Sequence, residues 1–158
     1  EAQKDRFMLK INMDCPGREE EFLLAQKMLG TNSPEEILAS GVVNQVITEP
    51  ILTELRALLR GVTVREEIVG YVVDIVRKTR QHDAVWVGAG PRATQALILA
   101  ARAASVLNTR DFVTPDDVKE MARPVLEHRI ILRPEYEIEG LTVPEVIGQI
   151  LQEVPVPR

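Results

Sequence analysis

The stretch Gly88-Ala89-Gly90-Pro91-Arg92-Ala93-Thr94 and the alanine-rich run behind it most constrain what this chain can fold into. Glycine followed by proline is a helix-start signal. Gly90 fits the N-cap, and Pro91 fits the first helical position, where no N–H is needed. From Pro91 to about Leu107 the spacing places Ala93, Ala96, Leu97, Ala100, Ala101 and Ala104 on one face. Small residues there let a neighbouring helix approach closely, which predicts the central helix of a bundle. Arg92 falls in the first turn, where the positive end of the helix dipole makes a cation misplaced unless an anion sits nearby. Helix N-termini bind phosphate readily. A solvated arginine turned away from the helix end is the alternative, since the penalty is only about 0.3–1 kcal/mol at exposed sites.

The remaining punctuation is also helical. Arg18 to Leu29 reads as a helix with three acids, Glu19 to Glu21, in its first turn and Gly30 as its stop. Its apolar side carries Phe22, Ala25, Met28 and Leu29. Ser33-Pro34-Glu35-Glu36 is a capping box opening a short helix to about Ala39. Thr48 caps a helix from Glu49 to Arg60 with Ile51, Leu52, Leu55, Leu58 and Leu59 on one side. Thr63 and Glu66 read as a further capping box, before a helix burying Ile68, Val69, Val72, Val73 and Val76. Thr114-Pro115-Asp116-Asp117 is the strongest cap, with Val118, Met121, Ala122 and Val125 behind it. Both aspartates read as capping residues. Ile130 to Pro134 reads as an extended exit, and Thr142 to Glu145 as a last capping box before Val146, Ile147, Ile150 and Leu151. Phe7, Leu9 and Ile11 alternate with Met8, Lys10 and Asn12, so Phe7 to Met13 predicts a short strand. The expectation is one strand followed by about seven helices.

Several kinds of chemistry are missing. There is no phosphate-cradling loop ending Lys-Ser or Lys-Thr, and no apolar strand ending in Asp-Glu to hold magnesium. His82 and His128 lack metal-ligand spacing, so no metal site is expected. His82 reads as solvated and His128 as complementing a helix C-terminus, neither as a catalytic base. The net charge of -5 and the lack of a basic stretch argue against nucleic acid. No apolar run approaches the roughly 20 residues of a membrane span. The single Cys15 excludes an internal disulfide, fits a reducing compartment, and reads as a small buried or half-buried side chain. Trp86 reads as a core residue, with packing on an adenine as the alternative. The start at Glu1, inside what reads as a structured element, predicts a fragment of a longer protein.

Four motifs in order resemble one family. Glu1-Ala2-Gln3-Lys4-Asp5-Arg6-Phe7 is similar to the P-E-A-Q-x-D-R-F segment of MoxR-type AAA+ ATPases, without its proline. Gly88-Ala89-Gly90-Pro91-Arg92-Ala93 resembles their G-A-S-P-R-A, with glycine replacing the usual capping serine. Arg110 to Val118 resembles R-x-Y/F-V-T-P-D-D-V, and Leu126-Glu127-His128-Arg129-Ile130 resembles L-x-H-R-I/L. Val154-Pro155-Val156-Pro157 is similar to the family's usual ending.

The resemblance implies an all-α lid, a helical bundle over residues 15–158, preceded over 1–14 by the last strand and arginine-finger segment of an α/β core. It implies that Arg92 is the sensor-2 arginine, reaching the γ-phosphate in its own subunit, with Gly90 and Pro91 presenting the helix start. It implies that Arg6 is the arginine finger for a neighbouring subunit; a surface arginine paired with Asp5 or Glu1 is the alternative. ATP and Mg are then cofactors of the full-length protein, an ATPase, and neither should bind tightly to this fragment, which should be inactive alone. The implied partners are a homo-oligomeric ring, a hexamer, and client or von Willebrand factor A-type proteins. The implied work is chaperone-like maturation of protein complexes in the cytoplasm. A self-contained helical interaction module without nucleotide chemistry remains open at this point.

Overall fold

The computed structural model describes residues 4–29 and 33–157. Glu1 to Gln3 and Gly30, which the sequence motifs include, lie outside the described residues. The elements run α1 (Arg18–Met28), α2 (Pro34–Ala39), α3 (Glu49–Arg60), α4 (Glu66–Thr79), β1 (Val85–Val87), α5 (Pro91–Leu107), α6 (Pro115–Leu126), a 3-10 turn (Glu127–Arg129), β2 (Ile131–Leu132), α7 (Pro134–Ile138) and α8 (Val143–Glu153). The fold is all-α apart from the β1–β2 pair. Contacts gather residues 4–11 with 57–157 into one unit and Asn12–Arg56 into another.

In the larger unit α5 is central, packed chiefly on α6 and next on α4, while α8 covers α4 and α6. Ala93, Ala96, Leu97, Ala100, Ala101 and Ala104 are all buried, as the spacing predicts. The core adds Ile68, Val72, Ile75 and Val76 of α4, Val118, Ala122 and Val125 of α6, and Val146, Ile147 and Ile150 of α8. On α4 the stripe is rotated from the expected one: Tyr71 and Ile75 are buried, whereas Val69 and Val73 are only partly covered. The buried side is the one that packs against α5 and α8, and the helix start also differs from the expected one. Arg65 is the N-cap without a side-chain bond, so Thr63 and Glu66 form no capping box. Thr63 instead pairs with Phe112 in a parallel bridge, its N–H donating to Asp111 O at 2.8 Å while Val113 N–H donates to its carbonyl at 3.0 Å.

Further expectations are corrected. Phe7 to Met13 forms no strand among the described residues, because no neighbouring strand is there to pair with it. Val85–Val87 and Ile131–Leu132 supply the strands instead, antiparallel with Val85 opposite Leu132. Trp86 lies on an outer face of this two-stranded ribbon and is 67% exposed, so it is not a core residue. Cys15 is exposed, in a segment without regular structure. His82 is half-buried rather than solvated: its Nδ1 accepts from Ala84 N–H at 3.3 Å, which leaves Nε2 to donate to Gln149 Oε1 at 3.2 Å. Pro134, read as the end of an exit strand, occupies the first turn of α7.

In the smaller unit the capping box of α2 forms, with Glu36 N–H donating to Ser33 Oγ and Ser33 N–H to Glu36 Oε2. None of the described residues of α1 or α2 is buried, nor is any of α3. The apolar stripe of α3 is present as predicted, but Ile51, Leu52, Leu55 and Leu58 are exposed.

The cap of α6 is the best-defined helix start. Thr114 Oγ1 accepts from Asp117 N–H, and the Thr114 N–H and hydroxyl both donate to Asp117 Oδ2 at 2.8 Å. Arg110 adds a bidentate pair at 2.7 and 2.5 Å. Burial works against the Asp117 charge, but the bonds from Arg110 and Thr114 outweigh it and hold the carboxyl at about 2, below its ordinary 3.8. A carboxyl depressed in the folded state stabilises above its unfolded value, and that stability is lost as the pH falls from near 4 through about 2. The loss should be about 2 kcal/mol. Asp117→Asn should lower the thermal midpoint at neutral pH and flatten this acid dependence. An unchanged pH profile in the variant would exclude Asp117 as its source.

Candidate functional site

The start of α5 is set by the end of α4. Thr79 is fully buried, and its hydroxyl donates to Val76 O at 2.7 Å and accepts from Ala89 N–H at 2.9 Å. This pins the loop directly before the N-cap. The same loop needs glycine at 88: a Cβ there would lie 2.7 Å from Arg80 Cγ and 2.8 Å from Arg80 N and Cα. Gly90 is then the N-cap in an extended conformation and Pro91 takes the first turn, as the sequence predicts. No acid stands in the first turn of α5, so its positive end is uncompensated from within. The Arg92 side chain is 68% exposed, and its Nη1 lies 3.7 Å from Asp5 Oδ2.

Asp5 belongs to a segment laid across the C-terminal end of α6. Arg129 holds it there. Its side chain is only 3% exposed, and a buried guanidinium persists only when its donors are satisfied. Nε donates to Asp5 Oδ1 at 3.1 Å. Nη2 donates to the carbonyls of Asp5 at 3.2 Å and Phe7 at 2.5 Å. Nη1 donates to Met8 O at 3.2 Å and also to Val125 O. The last carbonyls of a helix have no partner within it, and here two of them find one nearby. Val125 O takes Arg129, and Pro124 O takes Lys10 N–H at 2.8 Å. His128 Nε2 donates to Phe7 O at 3.0 Å, rather than serving only as a charge at the helix end. Its Nδ1 is buried with no partner among the described residues. Lys10 Nζ closes the strap on Glu127 Oε1 at 2.6 Å.

Arg6 sits in the middle of this strap with its side chain exposed. Of the surface reading, the pairing with Asp5 does not form, since Asp5 is taken by Arg129 and Arg92, and the pairing with Glu1 lies outside the described residues. Its guanidinium stacks over the Phe7 ring, 5.1 Å from the centroid. Between strap and bundle lies a cavity of about 670 Å³, with Phe7, Leu9, Gly88, Gly90, His128 and Ile131 in its wall. The structure therefore brings Gly90 and the Arg6 segment to one cleft, and Asp5 within ion-pair reach of Arg92. Pro91, Arg92 and Arg6 stand outside the cavity wall. Among the described residues no group of three or more His, Cys, Asp or Glu is placed to hold a metal ion.

Arg129 is the residue that local sequence signals do not reveal. It appears in the sequence only as one letter of Leu126-Glu127-His128-Arg129-Ile130, and its partners in the strap lie more than 120 positions away. An arginine directly after a helix end is the signal present, since the last carbonyls there need donors.

Residues 77–152 match the family model of the AAA lid domain. The Bacillus subtilis protein YeaC is 37% identical over 99% of this chain and 47% of its own length. Chaperone MoxR1 of Mycobacterium tuberculosis is 34% identical over all of this chain and 42% of its own. A crystal structure of a protein assigned as an ATPase from Cytophaga hutchinsonii superposes with a TM-score of 0.82 at 30% identity, over 99% of this chain and 48% of that one. The chain thus spans about half the length of the relatives it matches.

Replacing Gly88 by Ala should destabilise the purified protein by about 1–3 kcal/mol, because the added methyl meets backbone that cannot rotate away. Gly90→Ala, with nothing within 4 Å of the new carbon, should cost less. Equal thermal midpoints for the two variants would contradict the close approach of Gly88 to Arg80. By its motifs, its fold and its relatives, the chain carries an AAA lid domain over residues 77–152 and is similar along nearly its whole length to part of the MoxR-type proteins.

Proposed function

We propose that this chain is the nucleotide-responsive lid portion of a ring-forming ATPase, with Arg92 as its sensor-2 residue and Arg6 as its arginine finger. The observation that carries the reading is the start of α5: a dipole-positive helix end with no acid of its own, and an exposed guanidinium beside it. Such a pair suits the terminal phosphate of ATP. Arg92 supplies fork geometry and charge that lysine would not reproduce. Gly90 and Pro91 start the helix without placing a side chain in the way.

The residues present fit only one end of the nucleotide. They offer an anion-binding helix end and a cationic side chain, but the described residues hold no carboxylate cluster for magnesium. ATP with magnesium, when bound by the full-length protein, supplies the phosphoryl group and the charge to be neutralised. Arg92 would contact the terminal phosphate in its own subunit and link its presence to the lid. Arg6, exposed on its strap, would reach a neighbour's phosphate and offset the charge that develops there. A ring, a hexamer in this reading, follows from a finger that acts between subunits.

Chaperone-like remodelling or maturation of client proteins, including von Willebrand factor A-type partners, is the work we assign to the assembly, in the cytoplasm. The name of the Mycobacterium tuberculosis relative, a chaperone, supports the first part. Among the described residues no helix is long and apolar enough to cross a membrane. A second reading, a helical interaction module without nucleotide chemistry, draws on the exposed apolar stripe of α3.

In the full-length protein Arg92→Ala and Arg6→Ala should each lower ATP turnover by more than about tenfold. Normal turnover in both would overturn the assignments and favour the interaction module. Subunits that lack Arg6 but bind ATP should regain activity beside subunits that keep Arg6 and cannot bind ATP. This chain alone should bind ATP weakly, and tight binding would count against a half-site.

A further inference from the structure

We propose that Arg129 is the positioning residue for Arg6, and that Asp5 ties Arg92 into the same clamp. The proposal rests on Arg6 being the finger and Arg92 the sensor. The carbonyls that Arg129 takes are those of Asp5, Phe7 and Met8, on both sides of Arg6. The backbone is fixed before and after Arg6, while the Arg6 side chain stays exposed and able to reach outward. A group that must meet a neighbouring subunit needs this arrangement: a rigid base and an unobstructed tip.

The clamp requires arginine. Arg129 makes bonds from Nε and both terminal nitrogens, in several directions at once. A lysine ammonium has three donors at one point and cannot span them. Lys10 adds two anchors, at Pro124 O and Glu127 Oε1, and His128 adds one at Phe7 O, but neither residue touches Asp5. Closing the end of α6 through Val125 O is a second role of Arg129, and a purely structural one. Only the contacts to residues 5–8 bear on Arg6.

Asp5 divides its two oxygens between two cations. Oδ1 accepts from buried Arg129 at 3.1 Å, and Oδ2 faces exposed Arg92 at 3.7 Å. The first contact is a hydrogen bond, and the second is a loose ion pair in solvent. Arg92 can therefore leave Asp5 for a phosphate while the strap remains held. Because one carboxylate serves both arginines, the residue that responds to nucleotide in one subunit is joined to the residue presented to the next.

The test uses the assembled full-length protein carrying Arg129→Lys or Asp5→Asn, with ATP as the probe. Arg129→Lys should lower kcat at least tenfold with KM for ATP within twofold of the parent. Asp5→Asn, which leaves the carbonyl bonds of Arg129 in place, should lower kcat about fivefold with ATP bound at least as tightly. Rings mixing Arg129→Lys subunits with subunits that keep Arg129 but cannot bind ATP should recover turnover, because the defect lies in the finger offered to a neighbour. A general loss of structure would not be rescued in this way. If Arg129→Lys does not assemble, Asp5→Asn decides. A kcat within twofold of the parent in the variant that decides, or no rescue in mixed rings, would overturn the proposal. Normal turnover in Arg6→Ala would instead remove the finger reading itself. A defect in Arg6→Ala without one in Arg129→Lys and Asp5→Asn would remove only the clamp.

Discussion

The small face of α5 is the constraint on which the larger unit depends. Alanine at 93, 96, 100, 101 and 104 lets α6 and α4 lie close, and all five are buried. Branched or long side chains at those positions would push the neighbours outward, and overpacking of this kind costs about 1–3 kcal/mol per site. Close approach also fixes direction. Once α5 is wedged between α4 and α6, its N-terminus is held beside the end of α4, where buried Thr79 and the Gly88–Arg80 contact hold the preceding loop. The exposed Arg92 thus projects from a start whose position is set by the core and not by the loop alone.

Much of this is legible in the sequence because it is local. Caps, prolines at helix starts and the period of apolar residues are read within a few positions. They predict α2, α5, α6 and α8 and the buried stripes of α5 and α6. Where a local signal competes with a distant one, the distant one wins. Thr63 looks like a cap, but its backbone pairs with the Asp111–Val113 stretch and moves the helix start to Arg65. Phe7 to Met13 alternates like a strand, but alternation creates no partner, and its backbone is bound instead by Arg129, His128 and Pro124. Trp86 looks like core by its type, yet a two-stranded ribbon has an outer face, and that is where it falls.

The candidate site divides along the same line. Gly90, Pro91 and Arg92 can be placed from seven consecutive residues, because a helix start is a local object. Arg6 can be named from the family motif, but not its surroundings. Its flanking carbonyls are satisfied from residues 128 and 129, so nothing near Arg6 in the chain announces how it is held.

That separation bears on what a buried arginine is for. An exposed ion pair such as Arg92 with Asp5 contributes little to stability. Burying Arg129 carries a desolvation cost that apolar residues of similar volume would avoid. A bundle selected for stability alone would do better with a leucine there and with water at the end of α6. What arginine offers in exchange is geometry: donors in one plane that fix a non-helical segment by its carbonyls, whatever side chains that segment carries. The side chains are then left to serve another purpose. In this chain that side chain is Arg6, and the carboxylate beside it is shared with Arg92. Holding a backbone tightly while leaving one cation at the surface is the arrangement expected where position matters more than stability.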